Sequence, residues 1–470
     1  MEQTISAVVL AAGEGKRMRS KKPKVLCEVL FKPMINWVVD ALHEADIQDI
    51  CAVVGNGSQQ VIDVLGDDVT TVLQKERLGT GHAVMQGRVF LSSRTNGHTL
   101  ILCGDAPFID ADTIRRSLRA HVQSGDAVTV ITAELSDPTG YGRIVKGSDG
   151  KIAAIVEQKD ATSEQLLIKE VNSGAFWFKT GDLLEVLDSL KNDNAQGEYY
   201  LTDSVALLIE MGRGAGSFAA ASDDVVLGAN DRRSLYKLNQ IARQRVIERM
   251  MDEGVEFVSC DGVVLSPDCQ IGPDTKVLPG TIVKGRSVIG GGCIVGPNSL
   301  IDDSVIGDDS IINSTQMQNA TVGSGVRMGP FVQLRPNSHI GDMAKVGNFV
   351  EVKNSTVGEK TSIAHLTYVG DSDVGDRVNF GCGCVTVNYD GSNKFRTTIE
   401  SDSFIGCNTN LVAPVKVGQG AYTAAGSTIT EDVPAGSLAI ERGYQKNIEG
   451  WASKKLAARI KKQRAQKEEK

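Results

Sequence analysis

Leu10-Ala11-Ala12-Gly13-Glu14-Gly15 runs from apolar residues into a glycine turn, and the nine residues from Lys16 to Lys24 carry six cations. A turn without side chains lets backbone N–H groups close on an anion, and nearby cations offset its charge, so the segment reads as a phosphate-binding element. It matches neither of two familiar phosphate fingerprints, lacking the third glycine of G-x-G-x-x-G and the closing G-K-[ST] of a P-loop. Asp105 follows the apolar run Leu100-Ile101-Leu102-Cys103. A carboxylate so placed either holds a divalent cation against phosphate oxygens or organises a turn.

A second set of residues lies in the other half of the chain. Where an aliphatic-glycine repeat is best phased, glycine occupies positions 323, 329, 341 and 347, but Arg335 and Lys353 stand in the same register. One such cation alone reads as a solvated corner residue. Two in register, just before the most polar cluster of the chain, favour an anion, for which Arg offers a fork and Lys a point charge. That cluster is Ala364-His365-Leu366-Thr367-Tyr368, then Asn379, then Asn388-Tyr389-Asp390-Gly391. His365 is either a packed or capping residue or a base able to take a proton from an amine near neutrality. Asn388 to Gly391 also reads as a turn, and the charged stretch from Asp390 to Arg396 as an excursion from the repeat.

The elements that must position these residues follow two grammars. From residue 1 to 228, apolar runs (Ile5-Leu10, Ile50-Val54, Thr99-Cys103, Ala127-Ile131) alternate with helical stretches such as Ile35-Ala45 and Ala111-Ser124. Such strands predict a parallel sheet covered on both faces, with ligands beyond the strands' carboxyl ends. Residues 229–253 read as one linker helix, in which Leu235, Leu238, Ile241, Ala242, Val246 and Met250 recur at helical spacing and Gly254 stops it. Residues 254–470 repeat an aliphatic residue and glycine with a dominant step of six, as at Ile306-Gly307, Val322-Gly323 and Met328-Gly329. Six residues suit a short strand plus a tight turn, stacked as a parallel β-helix. The basic, helix-like segment from Ala452 to Lys470 reads as a solvated end that packs against this solenoid and frays, ahead of a nucleic-acid role.

The 470 residues allow two or three domains, and 41% apolar residues supply their cores. A net charge of −8 excludes a general affinity for nucleic acid and leaves any phosphate site to a local basic patch. No apolar run approaches the roughly 18 residues of a membrane span, and the lone Glu2 is the opposite of a signal-peptide start. Nine scattered cysteines point to reduced thiols in a cytoplasmic protein, not to a disulfide framework or a zinc site.

Taken as a set, the motifs resemble the bacterial bifunctional family of N-acetylglucosamine-1-phosphate uridylyltransferase / glucosamine-1-phosphate N-acetyltransferase. They are Leu10-Ala11-Ala12-Gly13-x-Gly15-x-Arg17-Met18, Pro23-Lys24-Val25-Leu26, Gln74 with Leu78-Gly79-Thr80-Gly81-His82-Ala83, and Gly104-Asp105-x-Pro107. Gly140-Tyr141-Gly142-Arg143-Ile144, Val156-Glu157, Val171-Asn172-Ser173-Gly174, Gly197-Glu198-Tyr199-Tyr200-Leu201-Thr202-Asp203 and Gly228-x-Asn230 continue the series. The resemblance covers nearly the whole chain in the same domain order. It implies a Rossmann-like α/β nucleotidyltransferase domain followed by a left-handed parallel β-helix, usually trimeric with active sites between subunits.

It further implies acetylation of glucosamine 1-phosphate by acetyl-CoA, then transfer of UMP from UTP to the product with release of pyrophosphate. The sugar nucleotide feeds peptidoglycan and lipopolysaccharide precursors. The resemblance assigns Leu10, Ala11, Ala12, Gly13, Arg17 and Lys24 to UTP, and Gln74, Gly79 and Thr80 to the uracil edge. Gly142, Glu157 and Asn172 fall to the sugar, and Asp105 with Asn230 to Mg²⁺. In the second half it makes His365 the base, Arg335 and Lys353 the sugar-phosphate cations, and Tyr368 and Asn379 sugar contacts. Cys382, Asn388, Tyr389, Cys407, Ala425 and Arg442 follow the acetyl-CoA path, Asn388 also reaching the sugar. The chain departs from the family pattern at Lys16, where a small hydroxyl residue is usual, at Cys27, where histidine is common, and at Cys382 and Cys407, where Ala or Ser is expected. These last two suggest that thiol reagents inhibit acetylation. The alternatives are a pyrophosphorylase of one activity with a structural or regulatory β-helix, and a non-catalytic assembly or sensor protein.

Overall fold

Ile5–Ala11 lies well inside a nine-stranded sheet, between His98–Cys103 on one side and Asp49–Gly55 on the other. The computed structural model describes residues 4–55, 58–194 and 196–468. They divide into two compact units, the first reaching Arg249 and including Leu265–Pro267, the second formed by Met250–Val264 and the residues from Asp268 onward. The helix Arg232–Asp252 spans the end of the first unit's main segment.

In the first unit the strands run in the order Ala215–Ala219, Val128–Glu134, Glu170–Lys179, His98–Cys103, Ile5–Ala11, Asp49–Gly55, Thr70–Gln74. Alternation along Ile5–Ala11 sends Ala7, Val9 and Ala11 into one buried cluster with Ile35 and Val38, and Val8 into the other with Val84 and Leu91. The sheet is therefore covered on both faces. It is not wholly parallel, as the apolar runs predicted. Glu170–Lys179 pairs antiparallel with both neighbours. The chain returns to it after Val128–Glu134 through the hairpin of Arg143–Lys146 and Ile152–Val156, and without a crossover helix a neighbouring strand enters antiparallel. Leu10 stands opposite Cys103 in the parallel register, so the glycine turn and Asp105 leave the same sheet edge side by side.

The core of this unit holds a titratable pair. The His121 ring is edge-on to His98 at 4.9 Å and stacked on Trp177 at 6.3 Å. Burial, then His98 and Lys179, push the His121 imidazole down to about 3, and burial lowers His98 as well. Between that value and the ordinary 6.5, the unfolded chain takes up protons that the folded unit refuses. Stability therefore falls as pH drops from about 6.5 toward 3, by up to about 1.4 kcal/mol per pH unit from His121, and His98 adds to the fall in the same direction. The expected result is a urea midpoint, followed by tryptophan fluorescence, that drops between pH 7 and pH 5. A midpoint that holds steady over that interval would contradict the assignment.

The second unit coils with three short strands per turn. Ile294–Val295, Leu300–Asp302 and Val305–Ile306 form one turn, and Ile311–Ile312 then pairs in parallel with Ile294–Val295. One aliphatic side chain per strand points inward, and Val295, Ile301, Ile306 and Ile312 are at most 1% exposed. Each contributes about 1.5–3 kcal/mol of apolar burial. Corners adopt left-handed backbone, mostly at Asn and Asp, which tolerate it. Phe331, Phe349 and Leu366 also adopt it, with φ of 61°, 58° and 33°, and their side chains turn outward. Pairing advances by 17 residues from Ser362 to Asn379, but by 25 from Asn379 to Phe404. The longer step contains the expected excursion, where Tyr389 bridges Lys394 and Asp390 Oδ1 accepts from the Ser392 and Asn393 N–H groups.

The C-terminal helix, Trp451–Glu468, does not pack against the solenoid as expected. Every described side chain along it is exposed. Its lysines and arginines surround the few apolar residues Trp451, Leu456 and Ile460, leaving no continuous apolar stripe to bury.

Candidate active sites

A cavity of about 440 Å³ opens where the glycine turn meets Asp105. Leu10, Ala12, Gly13, Arg17 and Lys24 line it from the turn side, and Gln74, Gly79, Thr80, Asp105 and Asn230 complete it. Ala11 does not line it, because strand alternation sends its methyl group into the sheet core. At the floor, the Lys24 ammonium forms an ion pair with Asp105 Oδ2 and donates to Asn230 Oδ1 at 3.0 Å, while Arg17 Nη2 reaches the same amide oxygen at 3.3 Å. The Lys24 and Asp105 side chains are only 13% and 24% exposed, which lessens solvent screening of their charges.

A carboxylate and an amide oxygen thus converge on one cation, and hard oxygen donors of this kind suit Mg²⁺ completed by phosphate oxygens. Lys16 turns to Glu14 at 3.0 Å, and Arg77 binds the other oxygen of that carboxylate at 3.1 Å. The Lys16 hydrogen bond, with Arg77, holds the Glu14 carboxyl below its ordinary range. Sequence reading missed Arg77, although it lies between Gln74 and Gly79. Cys27 is buried, and that burial pushes its thiol up.

Gln74 is buried and donates to Gly79 O at 3.2 Å, with His82 Nδ1 3.1 Å from the same amide nitrogen. A second cavity, about 730 Å³, shares Leu10, Thr80 and Cys103 with the first and adds Glu157 and Asn172. Gly142 does not line it but stands directly behind. Its carbonyl accepts from Asn172 N at 2.9 Å, and a Cβ on it would lie 3.2 Å from Glu157 Oε1. The strand register shifts between Asn172 and Ala175, and Asn172 Oδ1 accepts from Gly174 N at 2.8 Å. This bulge aims Asn172 out of the sheet. The paired cavities suit a nucleotide and an adjoining sugar.

In the solenoid, one corner stacks Asn348 on His365. The registers Ile363 on Phe380, Phe380 on Ile405 and Ile405 on Thr423 continue that column through Cys382, Cys407 and Ala425. His365 is exposed, with Nδ1 3.2 Å from Asn348 Oδ1. An amide oxygen only accepts, so Nδ1–H faces it, and in the neutral ring Nε2 is the nitrogen that carries the lone pair. Arg442 Nη1 donates to Ala425 O at 2.9 Å, adding Arg442 to the column's far end. Exposed Asn379 lies on a strand entering this corner, and half-buried Tyr368 on the face leaving it.

The next corner carries the cations. Arg335 N donates to Val352 O at 2.9 Å, setting Arg335 one coil below Lys353. Lys394, then burial and Arg335, depress the Lys353 ammonium, with the Asp371 carboxylate opposing them. Arg335 leans on Glu351 at 3.1 Å. Asn388 is buried, and its amide donates to Asp371, as does that of Asn354. Burial alone would raise the Asp371 carboxyl, but these amides and the nearby lysines hold it low. Tyr389 is exposed, its hydroxyl spent on Gly391 O at 2.6 Å. Lys394 and Asp371 went unrecognised in the sequence, since the loop's fold brings the first to Lys353 and the stacking of the next coil brings the second.

Residues 6–225 match the nucleotidyl transferase family model, and residues 268–303 the bacterial transferase hexapeptide model of six repeats. The chain is 47% identical over 449 residues to the bifunctional protein GlmU of Halalkalibacterium halodurans, covering 96% of this chain and 98% of that protein. It is 44% identical over 453 residues to the one from Acetivibrio thermocellus, with 96% and 98% covered. With that of Caldanaerobacter subterraneus it shares 47% over 474 residues, covering 97% and 99%.

Proposed function

From the chain's membership of the GlmU family of bifunctional proteins, we infer that its two units carry out successive steps toward one sugar nucleotide. The solenoid acetylates glucosamine 1-phosphate, and the nucleotidyl transferase unit joins the product to UMP from UTP, making UDP-N-acetylglucosamine for cell-wall precursors. The observation that carries this reading is that each unit holds its own chemistry, a cation-lined cavity in one and an exposed imidazole oriented by Asn348 in the other.

In the first step the amine attacks the thioester carbonyl of acetyl-CoA and the CoA thiolate leaves. An ammonium has no lone pair, so His365 Nε2 removes its proton. Arg335, Lys353 and Lys394 hold the sugar phosphate, and Tyr368 and Asn379 orient the ring. Asn388 works from behind by fixing Asp371, while Cys382, Tyr389, Cys407, Ala425 and Arg442 flank acetyl-CoA.

In the second step a sugar-phosphate oxygen attacks the α-phosphorus of UTP and pyrophosphate leaves. That oxygen is already ionised, so no base is needed, and alignment and charge carry the catalysis. Arg17 and Lys24 meet the phosphates, Gln74, Gly79 and Thr80 the uracil, and Gly142, Glu157 and Asn172 the sugar. Asp105 and Asn230 would hold Mg²⁺, which supplies charge neutralisation at the phosphate oxygens when bound.

A homotrimer fits the solenoid's exposed apolar corner. Phe331 and Phe349 stack at 5.3 Å while 61% and 57% exposed, and Leu366 follows His365 in chain order at 59%. Such a row calls for a covering subunit. Among the described residues no helix is long and apolar enough to cross a membrane, and we place the reactions in the cytoplasm. One incubation tests the reading. Given glucosamine 1-phosphate, acetyl-CoA, UTP and Mg²⁺, the protein should release CoA thiol and pyrophosphate in succession. Pyrophosphate release from N-acetylglucosamine 1-phosphate without any CoA release from glucosamine 1-phosphate would favour the single-activity alternative.

Gly79 supplies a local test. It has φ 100°, and a Cβ there would sit 2.5 Å from Tyr199 O and 2.9 Å from Tyr199 N, both backbone atoms. Gly79→Ala should push the uracil-facing turn outward and lower kcat/KM for UTP about tenfold or more, with CoA release unchanged. An unaltered kcat/KM would remove Gly79 from the nucleotide site.

A further inference from the structure

We propose that Cys382 and Cys407 form a dithiol site on the solenoid corner that low-molecular-weight disulfides convert to an intramolecular cross-link. Neither residue's role above uses its sulfur. The two occupy the same column on consecutive coils: Phe380 pairs with Ile405 two residues earlier, and Asn408 N donates to Cys382 O at 2.8 Å just after. Paired strands lie about 4.8 Å apart, within the Cα separation of roughly 4.4–6.8 Å that a disulfide spans. Both side chains are exposed. The two coils touch here: a Cβ on Gly381 would stand 2.8 Å from the Cys407 Cα and 2.9 Å from its sulfur.

Cys384 does not compete. It is buried, donates to Gly406 O at 3.1 Å, and burial pushes its thiol up to about 11. In the first unit, burial likewise pushes Cys51 to about 11 and Cys103 to about 12. High thiol pKa values leave little thiolate to react.

The chemistry is two exchanges. One cysteine thiolate attacks a sulfur of the small disulfide RSSR, that S–S bond breaks, and RS⁻ leaves to take a proton. The second thiolate then attacks the cysteine sulfur of the mixed disulfide and expels the other RS⁻. Overall the two thiols lose two electrons and two protons, and RSSR becomes two RSH. Because the column runs from His365 to Ala425, the cross-link would tie two side chains together beside the acetyl-transfer centre. That consequence rests on the proposed acetyl-CoA path, whereas the cross-link itself does not.

The test uses the full chain incubated with excess glutathione disulfide, then alkylated, digested and analysed by mass spectrometry, with both activities read on the same samples. The expected product is a peptide pair joined through Cys382 and Cys407, released by dithiothreitol. Acetyl transfer should fall about tenfold or more with full conversion, pyrophosphate release should hold, and Cys407→Ser should carry a mixed disulfide at Cys382 and no cross-link. Mixed disulfides on both cysteines without a joined peptide, or no modification of either, would overturn the proposal. A complete cross-link with acetyl transfer intact would uphold the dithiol site and overturn the acetyl-CoA path.

Discussion

His365→Ala should lower acetyl transfer by about 10²–10⁴-fold, the usual contribution of a positioned proton acceptor, with pyrophosphate release from UTP and N-acetylglucosamine 1-phosphate unchanged. The size of the effect follows from the substrate, since without a proton acceptor the ammonium stays unreactive. The geometry gives the reason for His365 in particular. Asn348 Oδ1 accepts a hydrogen bond from Nδ1–H at 3.2 Å, leaving Nε2 as the base, and the Thr367 hydroxyl bonds to the His365 carbonyl at 2.7 Å to steady the corner. Leu366, with φ 33°, is held in a costly conformation just beside it. The substitution removes an exposed side chain and no core contact, so the coil should survive it. Steady-state rates for each half-reaction check this, and acetyl transfer within twofold of the parent would dismiss His365 as the base.

Asp105→Asn should produce the mirror image. The oxygen and the shape remain, but the charge that faces Lys24 and a bound Mg²⁺ is gone. A loss of about 100-fold or more in uridylyl transfer, about 2.7 kcal/mol in the barrier, is expected. Lys24 would lose its ionic partner yet keep its 3.0 Å bond to Asn230, so the cavity should persist while its field changes sign locally. CoA release should continue at the parental rate. Removing divalent cations with a chelator should reproduce the same asymmetry in the unmodified protein. A variant that retained Mg²⁺-dependent pyrophosphate release would show that Asp105 is only a turn residue.

Much of this was legible in the sequence because the physics is local. A six-residue aliphatic-glycine step leaves few options besides stacked short strands, and the cations in glycine slots at 335 and 353 do rise from one corner on successive coils. The apolar runs located the strands of the first unit, but strand direction depends on what lies between them. The antiparallel Glu170–Lys179 escaped notice because its apolar pattern is that of any buried strand. Alternation along the strand turns the Ala11 methyl group inward, so only its backbone can face a nucleotide, a distinction the motif alone does not make. Arg77, Lys394 and Asp371 were overlooked for a different reason. Each reaches its site through a loop or a neighbouring coil, and no spacing in the chain marks which charged loop residue will do so. The tail was expected to pack, yet packing needs an apolar stripe that its lysines and arginines interrupt.

Mixing the two variants tests the central claim, that two chemically independent sites occupy one chain, most directly. With glucosamine 1-phosphate, acetyl-CoA, UTP and Mg²⁺, neither His365→Ala nor Asp105→Asn alone should accumulate UDP-N-acetylglucosamine at more than a small fraction of the parental rate. An equimolar mixture should restore it, because the acetylated sugar phosphate made by one variant can diffuse to the other. A mixture as inactive as its components, or either single variant as active as the parent, would contradict it.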